Sequence, residues 1–287
     1  MGYNSMTAWK HISASVVGTS HDLTGTPCQD NSVCRAFTLG DGSEILVAVA
    51  SDGAGSAKRA DEGSALACSL LIQEMEALFE ADAEGDLSEI TKEFLTNWLV
   101  SFQREVTIRA EHEELRARDF ACTLVAAIIA EQSAVFAQIG DGAIVVPSPE
   151  EPDEYCYVFW PQKGEYANET YFATDPEAHT KIQYDHIPRR IDEVAVLTDG
   201  IQNLALHYQT QSAHNPFFRP VFAWLRPASE DYKDKFTASL AAYLASEKIN
   251  QATDDDKTLI LATRRTLSQE PETASTEETN VTAVLQQ

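Results

Sequence analysis

The chain has 287 residues, 44% of them hydrophobic, enough for one large globular domain with a substantial core. Its 21 Lys and Arg stand against 45 Asp and Glu, a formal charge of -24, which argues against recognition of a nucleic-acid phosphate backbone. Cysteines at 28, 34, 68, 122 and 156 form no CxxC pair, and no signal-peptide pattern or apolar run of membrane-spanning length is present, so a cytoplasmic chain with free thiols and no membrane contact is expected.

Residues 1–8 show no pattern, and the folded domain is expected to begin at 11 after a loose N-terminus of ten residues. Alternation over 11–17 predicts a strand, the Gly/Pro/Ser/Thr stretch 18–29 a loop, and 32–39 a second strand. Asp41-Gly42 signals a hairpin, and 45–51 returns as a third strand. Three strands in a row without helices suggest an antiparallel sheet rather than a βαβ unit. Leu66, Leu70, Leu71, Met75, Leu78 and Phe79 recur at helical spacing and predict a helix over 59–79. Asp86, with Glu89 three positions on, predicts the capped start of a second long helix that carries Ile90, Phe94, Leu95, Trp98, Phe102 and Val106 on one face.

Strands then resume at 123–130 and 134–139, joined by a hairpin, and continue at 143–146, 155–160, 182–187 and 192–198. Asn215-Pro216 opens a helix and Ser229 caps another, whose apolar face carries Tyr232, Phe236, Leu240, Tyr243 and Leu244. The last strand is 258–263, and residues 266–287, acidic and without Lys or Arg, are expected to be disordered. Trp98, Trp160 and Trp224 are expected in the core; His179, His186, His207 and His214 lack metal-ligand spacing and are expected at the surface or in packing. The order predicts an α+β fold, an α-β-β-α sandwich of two stacked antiparallel sheets with a helix pair on each side, in one domain over 11–265.

The chemistry concentrates where strands end. Residues 45–57 read ILVAVASDGAGSA: a buried strand that stops at Asp52, followed by glycines that leave backbone groups uncovered. The device recurs at Gly140-Asp141-Gly142 and Thr198-Asp199-Gly200, with Asp30 early and Asp254-Asp255-Asp256 late. Asp-Gly pairs taken singly are ordinary turn chemistry. As a set, carboxylates without neighbouring His or Cys suit Mg²⁺ or Mn²⁺ rather than zinc. Two such ions sharing a carboxylate activate water and neutralise phosphate, which makes phosphoester hydrolysis the natural reaction.

The ordered series Cys28-Gln29-Asp30, Ser51-Asp52-Gly53-Ala54-Gly55, Ala121-Cys122-Thr123, Ile139-Gly140-Asp141, Leu197-Thr198-Asp199-Gly200 and Asp255-Asp256-Lys257-Thr258 resembles the metal-dependent serine/threonine phosphatases of the 2C type over about residues 11–263. The resemblance implies a β-sandwich flanked by helix pairs and a dinuclear Mn²⁺ or Mg²⁺ site. It gives Asp52 the bridging role and the Gly53 carbonyl one metal; Asp199 and Asp255 would hold one ion, Asp30 would act on the other largely through water, and Asp141 would help bind a third. It implies a phosphorylated protein substrate, a monomer and no protein nucleophile. Alternatives are a catalytically silent relative that binds or regulates, or a phosphatase of a small metabolite; silent relatives usually lose metal-binding aspartates, and all are kept here.

Members commonly carry an Arg before the Glu/Gln-Asp pair to grip the substrate phosphate, but residues 18–30 contain no Arg or Lys. His21 is one candidate for that role; Lys58 and Arg59, at a predicted helix start, are the others. Ser56 replaces the second Gly of the family's Gly-Gly turn, and the segment between Tyr155 and Ile187 is short for the family's flap.

Overall fold

The computed structural model describes residues 8–81, 85–151, 153–164, 170–229 and 232–265. In chain order the elements are β1 (Lys10–Val16), α1 (Thr19–Thr24), β2 (Asn31–Thr38), β3 (Glu44–Ser51), α2 (Ala60–Ala81), α3 (Lys92–His112), β4 (Leu124–Ile129), β5 (Ala134–Ile139), β6 (Ala143–Pro147) and β7 (Tyr155–Tyr157). There follow α4 (Ala178–Lys181), β8 (Gln183–Ile187), β9 (Glu193–Leu197), α5 (Gln202–Ala205), β10 (Leu206–His207), β11 (Ser212–Ala213), α6 (Asn215–Leu225), α7 (Lys233–Leu244), α8 (Glu247–Asn250) and β12 (Lys257–Thr263).

Two five-stranded antiparallel sheets form, in the orders β1-β12-β9-β6-β7 and β2-β3-β4-β5-β8. Alternation assigns each strand residue to a layer. Leu46, Ala48 and Ala50 of β3 meet Val194, Val196, Ile260 and Ala262 of the other sheet in the middle of the sandwich. Ile45, Val47 and Val49 face the other way, onto α2 and α3. Ala195, Leu197, Leu259 and Leu261 face α6 and α7. Both faces are covered, so these strands read as unbroken apolar runs. The four-layer sandwich is the predicted one.

Several local expectations change. The first three strands do not form one sheet: β1 pairs with β12, while β2 and β3 belong to the opposite sheet. Residues 18–29 hold a helix, α1, stopped by Gly25 in the left-handed region. Asp86 caps only a single 3₁₀ turn, Leu87–Glu89, and α3 starts later with the Thr91 hydroxyl accepting from the Phe94 N–H. The strand expected over 155–160 is short, and α7 begins at Lys233 rather than just after Ser229. Trp9, placed by the sequence in a loose end, is buried under the Arg264 guanidinium, 4.7 Å from the ring centroid, and Lys10 opens β1. Trp98 is buried as expected; Trp160 and Trp224 are half-buried. The expected disordered tail, residues 266–287, lies outside the described residues, as do residues 1–7 and part of the short flap, 165–169. Among the described residues no helix is long and apolar enough to cross a membrane.

Candidate active site

Strand register brings the aspartates to one edge of the sandwich. Asn31 pairs with Ser51, so Asp30 and Asp52, each one residue beyond that pair, leave the same end of one sheet. Leu197 pairs with both Ala143 and Leu259, so Asp141, Asp199 and the residues before Lys257 gather at the matching end of the other. Gly200 permits the last approach: a Cβ there would lie 1.8 Å from the Asp256 carbonyl oxygen.

Oxygens of Asp52, Asp141 and Asp199 lie within 4.8 Å of one another. They line a cavity of about 420 Å³ with Asp255, Gly53, Ala54, Gly55, Ser56, Gln29, Thr170, Phe172 and His21. No Lys or Arg is among these lining residues. Burial pushes the Asp52 carboxyl well above the usual range, and Asp30, Asp199 and Asp141 add repulsion. Burial, with Asp141 and Asp255, pushes Asp199 up to about 8. Asp141 and Asp255 are raised mainly by burial as well. Carboxylates this close with no cation beside them destabilise the ionised state unless one is bound.

Asp30 sits behind this group, 5% exposed. Its Oδ2 accepts from the Thr198 hydroxyl at 2.7 Å, while its Oδ1 is buried and unpartnered. Burial raises it to about 7, opposed by the hydrogen bond from Thr198. The orphaned oxygens of Asp30, Asp141 and Gln29, with an all-oxygen donor set, fit a hard divalent cation.

His21 reaches the cavity from α1, and its Nδ1 lies 2.9 Å from Asp256 Oδ2. A carboxylate partner makes Nδ1 the donor and leaves Nε2 for a ligand. Asp256, 2% exposed, also accepts from the Gly18 and Gln29 backbone N–H groups, both at 2.6 Å. Lys58 and Arg59 do not line the cavity; Arg59 is paired with Glu113 at 2.9 Å and Glu62 at 3.1 Å. Sequence reasoning gave no role to Asp256, Gln29, Thr170 or Phe172. The Asp-Asp-Lys-Thr run marked Asp256 by position, whereas Thr170 and Phe172 sit in a segment with no readable pattern. All five cysteines are free, and burial, with Asp30 and Asp256, pushes the Cys28 thiol up to about 12, out of range for a nucleophile.

Comparison with known proteins bears on the family and the fold. A family model described as Protein phosphatase 2C matches residues 17–245. Serine/threonine-protein phosphatase 3 of Escherichia coli (strain K12) is 36% identical over 255 residues, 89% of this chain and 98% of that one. Among solved structures, PppA, described as a key regulatory component of T6SS in Pseudomonas aeruginosa, is 15% identical with a TM-score of 0.59, over 91% of this chain and 99% of that one. The S. agalactiae serine/threonine phosphatase is 12% identical with a TM-score of 0.56, over 89% and 99%. At these identities the structural likeness speaks for the fold alone.

Proposed function

Because the chain belongs to the protein phosphatase 2C family, we propose that it is a serine/threonine protein phosphatase that hydrolyses phosphoserine and phosphothreonine in protein substrates and depends on divalent cations. The observation that carries the metal dependence is the convergence of Asp52, Asp141 and Asp199 within 4.8 Å, with no Lys or Arg among the described residues that line the cavity. Asp52, Asp199, Asp255 and the Gly53 carbonyl are the residues to hold a pair of Mn²⁺ or Mg²⁺ ions, with Asp30 at the inner end and Asp141 at a third position. Bound there, such ions supply charge neutralisation for the phosphoryl group and a water of lowered pKa.

The chain's own groups bind and orient. Sheet ends hold the aspartate backbones, so their carboxylates are arranged before substrate arrives. His21 contacts the phosphate through Nε2, its ring held by Asp256 through Nδ1. Phosphate release from a phosphothreonine peptide should require Mn²⁺ or Mg²⁺ and stop on chelation. Full turnover after exhaustive dialysis against chelator would remove this reading.

A further inference from the structure

Ala121-Cys122-Thr123 belongs to the motif series but has been given no role. The β3–β4 ladder ends at the pair Ala50 and Val125, yet the two chains do not part there. The Thr123 N–H donates to the Asp52 carbonyl at 2.7 Å, and the Asp52 N–H donates to the Thr123 hydroxyl at 2.9 Å. One residue therefore grips Asp52 at both ends of its backbone. The Ser51 hydroxyl donates to the Thr123 carbonyl at 2.6 Å, Gly53 bridges Cys122, and the Ala54 N–H donates to the Ala121 carbonyl at 2.8 Å. Beyond the strand, a side-chain hydroxyl takes the place of a ladder carbonyl.

The same segment touches the neighbouring carboxylate from its other side. Gly140, which precedes Asp141, has φ +108°, and a Cβ there would lie 2.6 Å from Thr123 Cγ2. The Thr123 methyl thus lies flat against the Gly140 backbone. The Ala173 N–H, next to the cavity-lining Phe172, donates to the Cys122 carbonyl at 2.7 Å. Thr123 itself is 1% exposed and touches no substrate space.

We infer that Thr123 is a positioning residue: its hydroxyl orients Asp52 and its methyl orients Asp141, so that one buried side chain sets the relation between two metal-binding carboxylates. The inference rests on the metal-dependent reading above and adds a division of labour within a single residue. Valine keeps the shape of threonine and removes the acceptor; serine keeps the acceptor and removes the methyl.

The test is calorimetric titration of Mn²⁺ into the full chain without substrate, together with phosphopeptide kinetics and thermal melts. Thr123→Val should weaken the tightest Mn²⁺ step by about tenfold or more, the scale typical of lost support behind a metal ligand. It should lower kcat more than it raises KM. Thr123→Ser should retain the tight step and kcat to within about threefold, and loosen only a weaker Mn²⁺ step. A folded Thr123→Val protein with wild-type Mn²⁺ binding would overturn the inference alone. Equal loss in both variants would overturn it too, leaving only a packing role. If Thr123→Val does not fold, Thr123→Ser decides, since loss of its tight step contradicts the division. A wild-type chain that binds no Mn²⁺ overturns the metal reading, and this inference falls with it.

Discussion

Aspartates meet at one edge of this sandwich in two kinds of surroundings. Asp52, Asp141 and Asp199 crowd one another around a cavity without a Lys or Arg among its lining residues. Asp256, in the loop that enters β12 beside Asp199, is satisfied internally by two backbone N–H groups and an imidazole. In sequence both kinds are acids beside a strand. The difference teaches that a buried carboxylate with its acceptors filled is architecture, whereas carboxylates stacked against each other need a ligand.

The strongest way to break the comparison is Asp52→Asn, which removes charge without volume. Turnover should fall by 10²–10³ or more, the order of magnitude for loss of one preorganised electrostatic group, while the melting temperature of metal-free protein rises as repulsion with Asp30, Asp199 and Asp141 is relieved. Kinetics and melting of one preparation check both; a folded variant with normal turnover removes Asp52 from the centre. Asp256→Asn should do the reverse to stability. An amide nitrogen would face a donor now served by oxygen, costing about 1–3 kcal/mol, and KM should rise as the His21 ring loses its support. Denaturant melts and KM measurements separate the two effects.

The pH response of metal-free protein sharpens the contrast. Asp30 and Asp199 are raised to about 7 and about 8, each first by burial. Between the unfolded carboxylate value near 4 and these folded values, the native state holds more protons than the unfolded chain. Stability must therefore fall as pH rises through that window and level off above it. Saturating Mn²⁺ should flatten the slope, because bound metal displaces those protons; melts from pH 5 to 9 with and without Mn²⁺ test this.

The smallest expected effects distinguish the candidates for gripping phosphate. His21→Ala should raise KM severalfold with a smaller loss of kcat, as for any ground-state contact. Arg59→Ala, at an exposed, solvent-screened ion pair outside the cavity, should leave both KM and the melting temperature essentially unchanged. Equal KM increases in the two variants would move the phosphate contact toward the start of α2.

Much of this was readable from the chain because the relevant signals are local. An apolar run over 45–51 followed by Asp52-Gly53 announces a buried strand and its end without reference to any other segment, and the same holds at Asp199-Gly200. The ordered series of such ends carried the family and, with it, the sandwich. What stayed hidden depends on partners far away in sequence. Helix α1 is six residues, TSHDLT, set between Gly18 and Gly25, and reads as a loop; Gly18 and Ser20 are tied to Asp256 and Asp254, more than 230 positions on. The separation of β1 from β2 follows from pairing with β12, the far end of the domain. Asp255 and Asp256 are adjacent identical residues, and no local pattern tells them apart. One lines the cavity and the other fastens Gly18, His21 and Gln29, because alternation along a chain entering β12 sends neighbouring side chains to opposite sides, and only assembled sheets say what waits there.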